Sequence, residues 1–208
     1  MTEPDAIVFV VDDEAFLREA LQSLITFAGY HTRTFGSAPE FLAADRPDVP
    51  ACLVLDIEMP GMSGLDLQHK LNQADIRIPI IFLTGHADIP MSILAMKAGA
   101  ADLLTKPFRP PVLLEAIRRA IEGDRRRRVE QAEEAQLHRK LDSLTARELQ
   151  VMRLVVAGLL NKQIAAELGT SEITVKVHRA RVMRKMEAES LPDLVRMADK
   201  LGIHATKF

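Results

Sequence analysis

Cysteine is almost absent from this 208-residue chain: the one thiol, Cys52, has no partner for an internal disulfide, which excludes a disulfide-stapled secreted scaffold. It lies in the apolar run Ala51 to Leu55, where a buried, inert thiol is expected in place of a nucleophile or metal ligand. No apolar run approaches the roughly 18 residues of a membrane span, and Met1 to Asp5 lack the basic start of a secretory signal. A reducing, cytoplasmic location and no membrane partner are therefore expected. Internal repeats and low-complexity tracts are also missing. What is present, 48% hydrophobic and 27% charged residues, is the balance of a globular chain able to bury a core, and its length suits one to two domains.

A net charge of -2 conceals an asymmetry. Residues 1–123 hold 10 Lys/Arg against 17 Asp/Glu, a net -7, and residues 124–208 hold 17 against 12, a net +5. Two modules with different partners follow, the second suited to a polyanion.

In the front module the runs Ala6 to Val11, Ala51 to Leu55 and Pro79 to Leu83 are short, apolar and bounded by turn or charged residues. Such runs read as strands covered on both faces, with weaker strands near His31 to Phe35 and Ala101 to Leu104. Helical spacing recurs between them, as in Leu17, Leu21, Leu24, Ile25 and Ala28, or Leu113, Ile117 and Ile121. Five alternations of strand and helix predict an open parallel sheet with helices on both sides and a ligand site beyond the carboxyl ends of the strands.

After Gly123 the tract Arg125 to Arg128 opens a polar stretch without Gly or Pro until Gly158. It reads as a helical linker over 124–141 whose arginines form a solvated face. A continuous helix over 124–140 would hold the modules about 25 Å apart; a break near Gly123 or Asp124 would let them meet. The back module, 142–208, is helical by pattern. Thr145 to Glu148 fits a capping box, Asn161, Ser171 and Ser190 are suited to start three more helices, and Gly169-Thr170-Ser171 forms a tight turn between two of them. That is the pattern of a helix-turn-helix.

Placing the strands gathers scattered residues. Asp12 and Asp13 follow the first strand, Asp56 ends the third, Thr84 ends the fourth and Lys106 follows the fifth. An Asp after a strand is by itself only a turn or cap residue; the conjunction carries the weight. Three neighbouring carboxylates raise one another's pKa unless a cation intervenes, and an all-oxygen set suits Mg2+. Lys106 then supplies a positive charge and Thr84 a hydroxyl to a phosphoryl group, for which one Asp is the nucleophile. The Lys106–Pro107 bond, if cis, would aim the lysine inward; otherwise Pro107 merely ends the strand.

Val10 to Asp13, Asp56 to Gly64, Thr84-Gly85-His86 and Lys106-Pro107-Phe108 together resemble the receiver domain of bacterial response regulators. The resemblance implies a flavodoxin-like, doubly wound five-stranded parallel sheet over 1–123. It implies that Asp56 accepts a phosphoryl group from a sensor histidine kinase. Mg2+ is held by Asp13 directly, by Asp12 partly through water, by Asp56 and by the Glu58 main-chain carbonyl. Thr84 and Lys106 grip the phosphoryl oxygens, and Gly85 keeps the approach open. Where the family carries an aromatic residue three before the lysine this chain has Leu103, implying weaker or differently routed coupling.

Residues 142–204, through Leu144 to Glu148, Gly158 to Ala165 and Thr174 to His178, resemble the four-helix DNA-binding domain of the LuxR/NarL class, and the whole chain the FixJ subfamily. On a helical wheel Val175, His178, Val182 and Met186 share one face, with His178 expected to be a packed, hydrogen-bonded core residue. The opposite face carries Ile173, Lys176, Val177, Ala180 and Arg184. In a major groove Lys176 and Val177 approach base edges, Arg184 with Arg181 or Arg179 reach phosphates, and Lys162 adds a backbone contact. Ala180 stands where some relatives carry a longer polar side chain, so their sequence preference does not transfer. A phosphorylation-switched transcription factor, homodimeric when phosphorylated and acting on duplex DNA with RNA polymerase as a further partner, is the expectation. The alternatives are a metal-dependent phosphohydrolase with Glu58 as general acid, and a receiver with an RNA- or protein-binding output.

Overall fold

The computed structural model describes residues 5–85 and 89–203, with backbone alone for 89–92. The chain divides into two compact units, residues 1–128 and 129–208. In the first, strands β1 (Ile7–Val11), β2 (His31–Phe35), β3 (Ala51–Asp56), β4 (Ile80–Thr84) and β5 (Asp102–Thr105) form one sheet in the order β2-β1-β3-β4-β5. Every pairing is parallel. Helices α1 (Ala15–Phe27), α2 (Ala38–Ala43), α3 (Gly64–Gln73), α4 (Ile89–Lys97) and the start of α5 (Pro110–Asp142) supply the crossovers.

The near-continuous apolar runs of β1, β3 and β4 have a direct cause in this architecture. Successive side chains of a strand point to opposite faces, and here both faces are covered. Ile7, Phe9, Val11, Leu53, Leu55 and Phe82 pack with Phe41 of α2, Leu67 and Leu71 of α3 and Ala95 of α4. Val8, Val10, Cys52, Val54, Ile81 and Leu83 pack with Leu21 and Ile25 of α1 and Leu113, Ile117 and Ile121 of α5. Cys52 is fully buried, and burial, with the nearby charge of Asp124, pushes its thiol pKa far up. It is inert, as its setting in the sequence indicates.

Helix α5 runs unbroken through Gly123 and Asp124. Its arginine tract corrects the expectation of a plainly solvated face. Asp124 is buried, accepts the Ala51 N–H at 3.1 Å and is paired with both Arg127 and Arg128. Arg128 also reaches Asp48, and Arg127 donates to the Arg77 carbonyl at 2.7 Å. A buried carboxylate needs such partners, and the linear pattern does not reveal where its side chain is buried.

In the second unit α6 (Ala146–Val156), α7 (Asn161–Glu167), α8 (Glu172–Met186) and α9 (Leu191–Lys200) enclose a core of Val151, Met152, Val155, Ile164, Val175, Val182, Met186 and Leu194. Leu137 and Leu141 from the end of α5 pack against it. Thr145, Ser171 and Ser190 cap α6, α8 and α9, and Gly169 takes the left-handed φ of 60° that closes the turn after α7. Asn161 is not a cap: it is the first residue of α7, its side chain oxygen accepts from Arg179 at 3.1 Å, and Gln163 accepts the Leu160 N–H instead.

Glu148 carries the geometry of this unit. It closes the capping box on the Thr145 N–H at 2.8 Å and accepts from Lys185 Nζ at 2.7 Å, tying the start of α6 to the end of α8. The Lys185 ammonium first, then the Thr145 N–H, lower its pKa from 4.5 to about 2. A carboxylate whose folded pKa is depressed stabilises the fold above its unfolded pKa and loses that contribution as pH falls through the folded value. Between pH 4.5 and about 2 the second unit therefore loses up to about 3 kcal/mol. Glu148→Gln flattens this acid limb in circular-dichroism titrations, and an unchanged limb would contradict the assignment.

Candidate functional site

The parallel register brings the carboxyl ends of the strands level: Val11 lies opposite Leu55, Asp56 opposite Leu83 and Thr84 opposite Thr105. Residues just past these ends therefore meet. Asp12 and Asp56 are buried, Asp13 is exposed at the rim, and one carboxylate oxygen from each lies within 4.8 Å of the others. Lys106 crosses from the end of β5, its Nζ donating to Asp56 at 2.7 Å and to Asp12 at 2.9 Å. Its N–H donates to the Thr84 carbonyl at 2.7 Å, and the Lys106–Pro107 bond is cis.

The electrostatics follow from burial. Removal from water raises the Asp12 pKa, with the Asp56 charge adding, while Lys106 and the Glu14 N–H pull it back. Burial works against the Lys106 ammonium, but the bonds to Asp56 and Asp12 outweigh it and raise its pKa. Lys106 thus remains charged and partly neutralises two carboxylates. An all-oxygen set with a third carboxylate at the rim suits a hard divalent cation with waters left on it.

The remaining residues named from the sequence are placed as follows. Thr84 is buried at the end of β4 and Gly85 is exposed beside it, with open space where a Cβ would stand. The Glu58 side chain is exposed and its N–H donates to Asp56 Oδ1 at 3.0 Å. Leu103 is half-buried and packs against the core that includes Phe82. His86 lies outside the described residues.

Three further residues shape the pocket and escaped sequence reasoning. Glu14 approaches Lys106 Nζ at 3.7 Å; its adjacency to the aspartate pair was the available signal. Arg18, one turn into α1, donates to the Asp12 carbonyl at 2.7 Å. Gly64 begins α3 against the backbone of Asp56, where a Cβ would overlap the Asp56 carbonyl oxygen. Nothing in spacing or composition announces Arg18, whereas Gly64 closes the Asp56 to Gly64 motif, which assigns it no role of its own.

In the second unit α8 buries Val175, Val182 and Met186 and turns Ile173, Lys176, Val177, Ala180, Arg181 and Arg184 to solvent, with Lys162 exposed on α7. Arg179 is half-buried and held by Asn161. His178 is half-buried, and its buried Nδ1 has no hydrogen-bond partner among the described residues, which corrects the expectation of a hydrogen-bonded core histidine. The α8 surface is cationic but for Glu172 in its first turn.

Comparison with known proteins matches residues 8–118 to the response regulator receiver domain and residues 142–198 to the LuxR family of bacterial regulatory proteins. Nodulation protein W of Bradyrhizobium diazoefficiens is 54% identical over 200 residues, covering 96% of this chain and 88% of the relative. The transcriptional regulatory protein FixJ of Rhizobium meliloti is 47% identical over 195 residues, covering 93% and 95%. Among solved structures, the response regulator StyR superposes with a TM-score of 0.88 at 47% identity, covering 94% of this chain and 99% of that one.

Gly64→Ala forces the α3 start away from Asp56. A loss of about 1–3 kcal/mol in the first unit is expected, measured by chemical denaturation followed through Tyr30, the only tyrosine in a chain without tryptophan. Wild-type stability in this variant would contradict the packing described.

Proposed function

Because the chain belongs to the two-component response regulators whose receiver domain is joined to a LuxR-type DNA-binding domain, and is thus a two-component transcriptional regulator, we propose that Asp56 is its phosphoacceptor and that phosphorylation drives dimerisation and operator binding. The observation that carries this is Lys106 Nζ set between the buried carboxylates of Asp56 and Asp12. We take residues 1–123 as the receiver, 124–141 as a helical linker and 142–208 as the output domain.

Asp56 Oδ attacks the phosphorus of a phosphohistidine on the sensor kinase; the P–O bond forms as the P–N bond breaks, and the imidazole leaves with a proton. Asp12, Asp13, Asp56 and the Glu58 main-chain carbonyl would hold Mg2+, which when bound would neutralise charge on the transferring group. Lys106 leaves its carboxylate partners to grip one phosphoryl oxygen, Thr84 donates its hydroxyl to another, and Gly85 leaves the approach unobstructed. The chain acts as a switch, not an enzyme with turnover, and works in the cytoplasm. Among the described residues no helix is long and apolar enough to cross a membrane.

Movement of Thr84 opens space at β4, into which Leu103 turns, altering the α4–β5 face. Ile93, Leu94 and Met96 on α4 are exposed and apolar, so a second copy gains by covering them. Dimerisation matters because one small domain binds an operator weakly, and paired domains add contact area and phosphate contacts. Lys176 and Val177 then approach base edges, Ala180 clears space, and Lys162, Arg179, Arg181 and Arg184 meet phosphates, with RNA polymerase as a further partner.

Sedimentation and duplex binding, each with and without acetyl phosphate, test the reading. Phosphorylation is expected to convert monomer to dimer at micromolar concentration and to tighten sequence-specific binding, with steep salt dependence; a phosphorylated chain that stays monomeric and binds no better contradicts it. Leu103→Phe, which adds area to the switch position, is expected to change the dimer constant of the phosphorylated form. No change there would remove Leu103 from the coupling.

A further inference from the structure

Ile173 is the most exposed large apolar side chain among the described residues of the second unit, with 75% of its surface open, and Val177 one turn on is 45% exposed. Neither serves the fold. The core contribution of α8 comes from Val175, Val182 and Met186, and β-branched side chains lose rotamer freedom in a helix, so two of them on an exposed face contribute less helix stability than straight-chain residues would.

Their position gives them another use. Ile173 is the second residue of α8, and the N-terminal residues of a helix entering the major groove are those that meet base edges. Lys176, Ala180 and Arg184 are exposed alongside, giving this face charge complementarity to a polyanion. Most of the major-groove edge consists of hydrogen-bond donors and acceptors, which an aliphatic side chain cannot use. Its apolar feature is the thymine C5-methyl group. Four residues of helix rise about 6 Å, close to two base steps of about 3.4 Å.

We propose that Ile173, with Val177 one turn on, reads thymine C5-methyl groups, so that closely spaced thymines within each half-site set the sequence preference of this output domain. The proposal rests on the DNA-binding reading and names its specificity. Ile173 gives preference through shape and desolvation, while Lys176 between the two branched side chains supplies the polar contact.

The test begins with duplexes selected from a random pool by the phosphorylated full-length chain. These are remade with deoxyuridine at each thymine in turn, which deletes only the C5 methyl. Loss of the methyl at one or two thymines per half-site is expected to weaken binding about fourfold. Ile173→Ala is expected to bind the thymine and uracil duplexes alike at one of these positions, with its thermal midpoint unchanged because the side chain is exposed. Methyl deletion without effect on the wild type, or with the same effect on Ile173→Ala and Val177→Ala, overturns the inference while leaving DNA binding intact. Failure to select any sequence overturns the DNA-binding reading itself, and the inference with it. Loss of transcription in Ile173→Ala at unchanged duplex affinity also overturns the inference, since a protein then faces this side chain in place of a base.

Discussion

One ammonium group governs the receiver site. Lys106 Nζ lies 2.7 Å from Asp56 and 2.9 Å from Asp12, two carboxylates buried at the carboxyl edge of the sheet, where a buried charge needs a partner. Everything else at the site serves this arrangement. Parallel strands in register level the chain ends from which these residues project, Glu58 and Glu14 N–H groups orient the carboxylates, and Gly64 lets α3 start close against the strand that carries Asp56. Under the proposed phosphoacceptor role of Asp56, the phosphoryl oxygens would compete for the same ammonium, which ties phosphate arrival to lysine release.

Much of this was legible in the sequence because periodicity and strand order are local signals. Five apolar or alternating runs locate the strands, and parallel topology brings their carboxyl ends to one edge, so Asp12, Asp13, Asp56, Thr84 and Lys106 could be gathered without coordinates. The helix-turn-helix was equally readable from Thr145, Gly169, Ser171 and the apolar face of α8. What escaped depends on where a side chain goes after leaving a regular element. Asp124 stands in the sequence only as a linker residue where the helix could break, yet its carboxylate accepts the Ala51 N–H. Arg127 and Arg128 follow it because a buried charge requires partners. Asn161 resembles a cap, but Arg179 takes its oxygen, and His178 shares the core-facing side of α8 while its Nδ1 finds no partner among the described residues. Such outcomes turn on long-range competition for hydrogen bonds that spacing does not encode.

The two units solve opposite electrostatic problems with similar means. The first concentrates negative charge around one lysine. The second spreads positive charge over α8 and uses Glu148, paired with Lys185 at 2.7 Å, to fix that helix against α6. In both, a buried carboxylate tied to a lysine sets the geometry. The long α5 contributes Leu113, Ile117 and Ile121 to the first core and Leu137 and Leu141 to the second, so a single helix is built into both.

The most direct measurement is the intact mass of the chain, and the position of the modification, after exposure to a phosphodonor with and without Mg2+. The account predicts one phosphoryl group per chain, attached at Asp56, dependent on the divalent ion and absent from Asp56→Asn. Attachment elsewhere, or undiminished labelling of the amide variant, would contradict it.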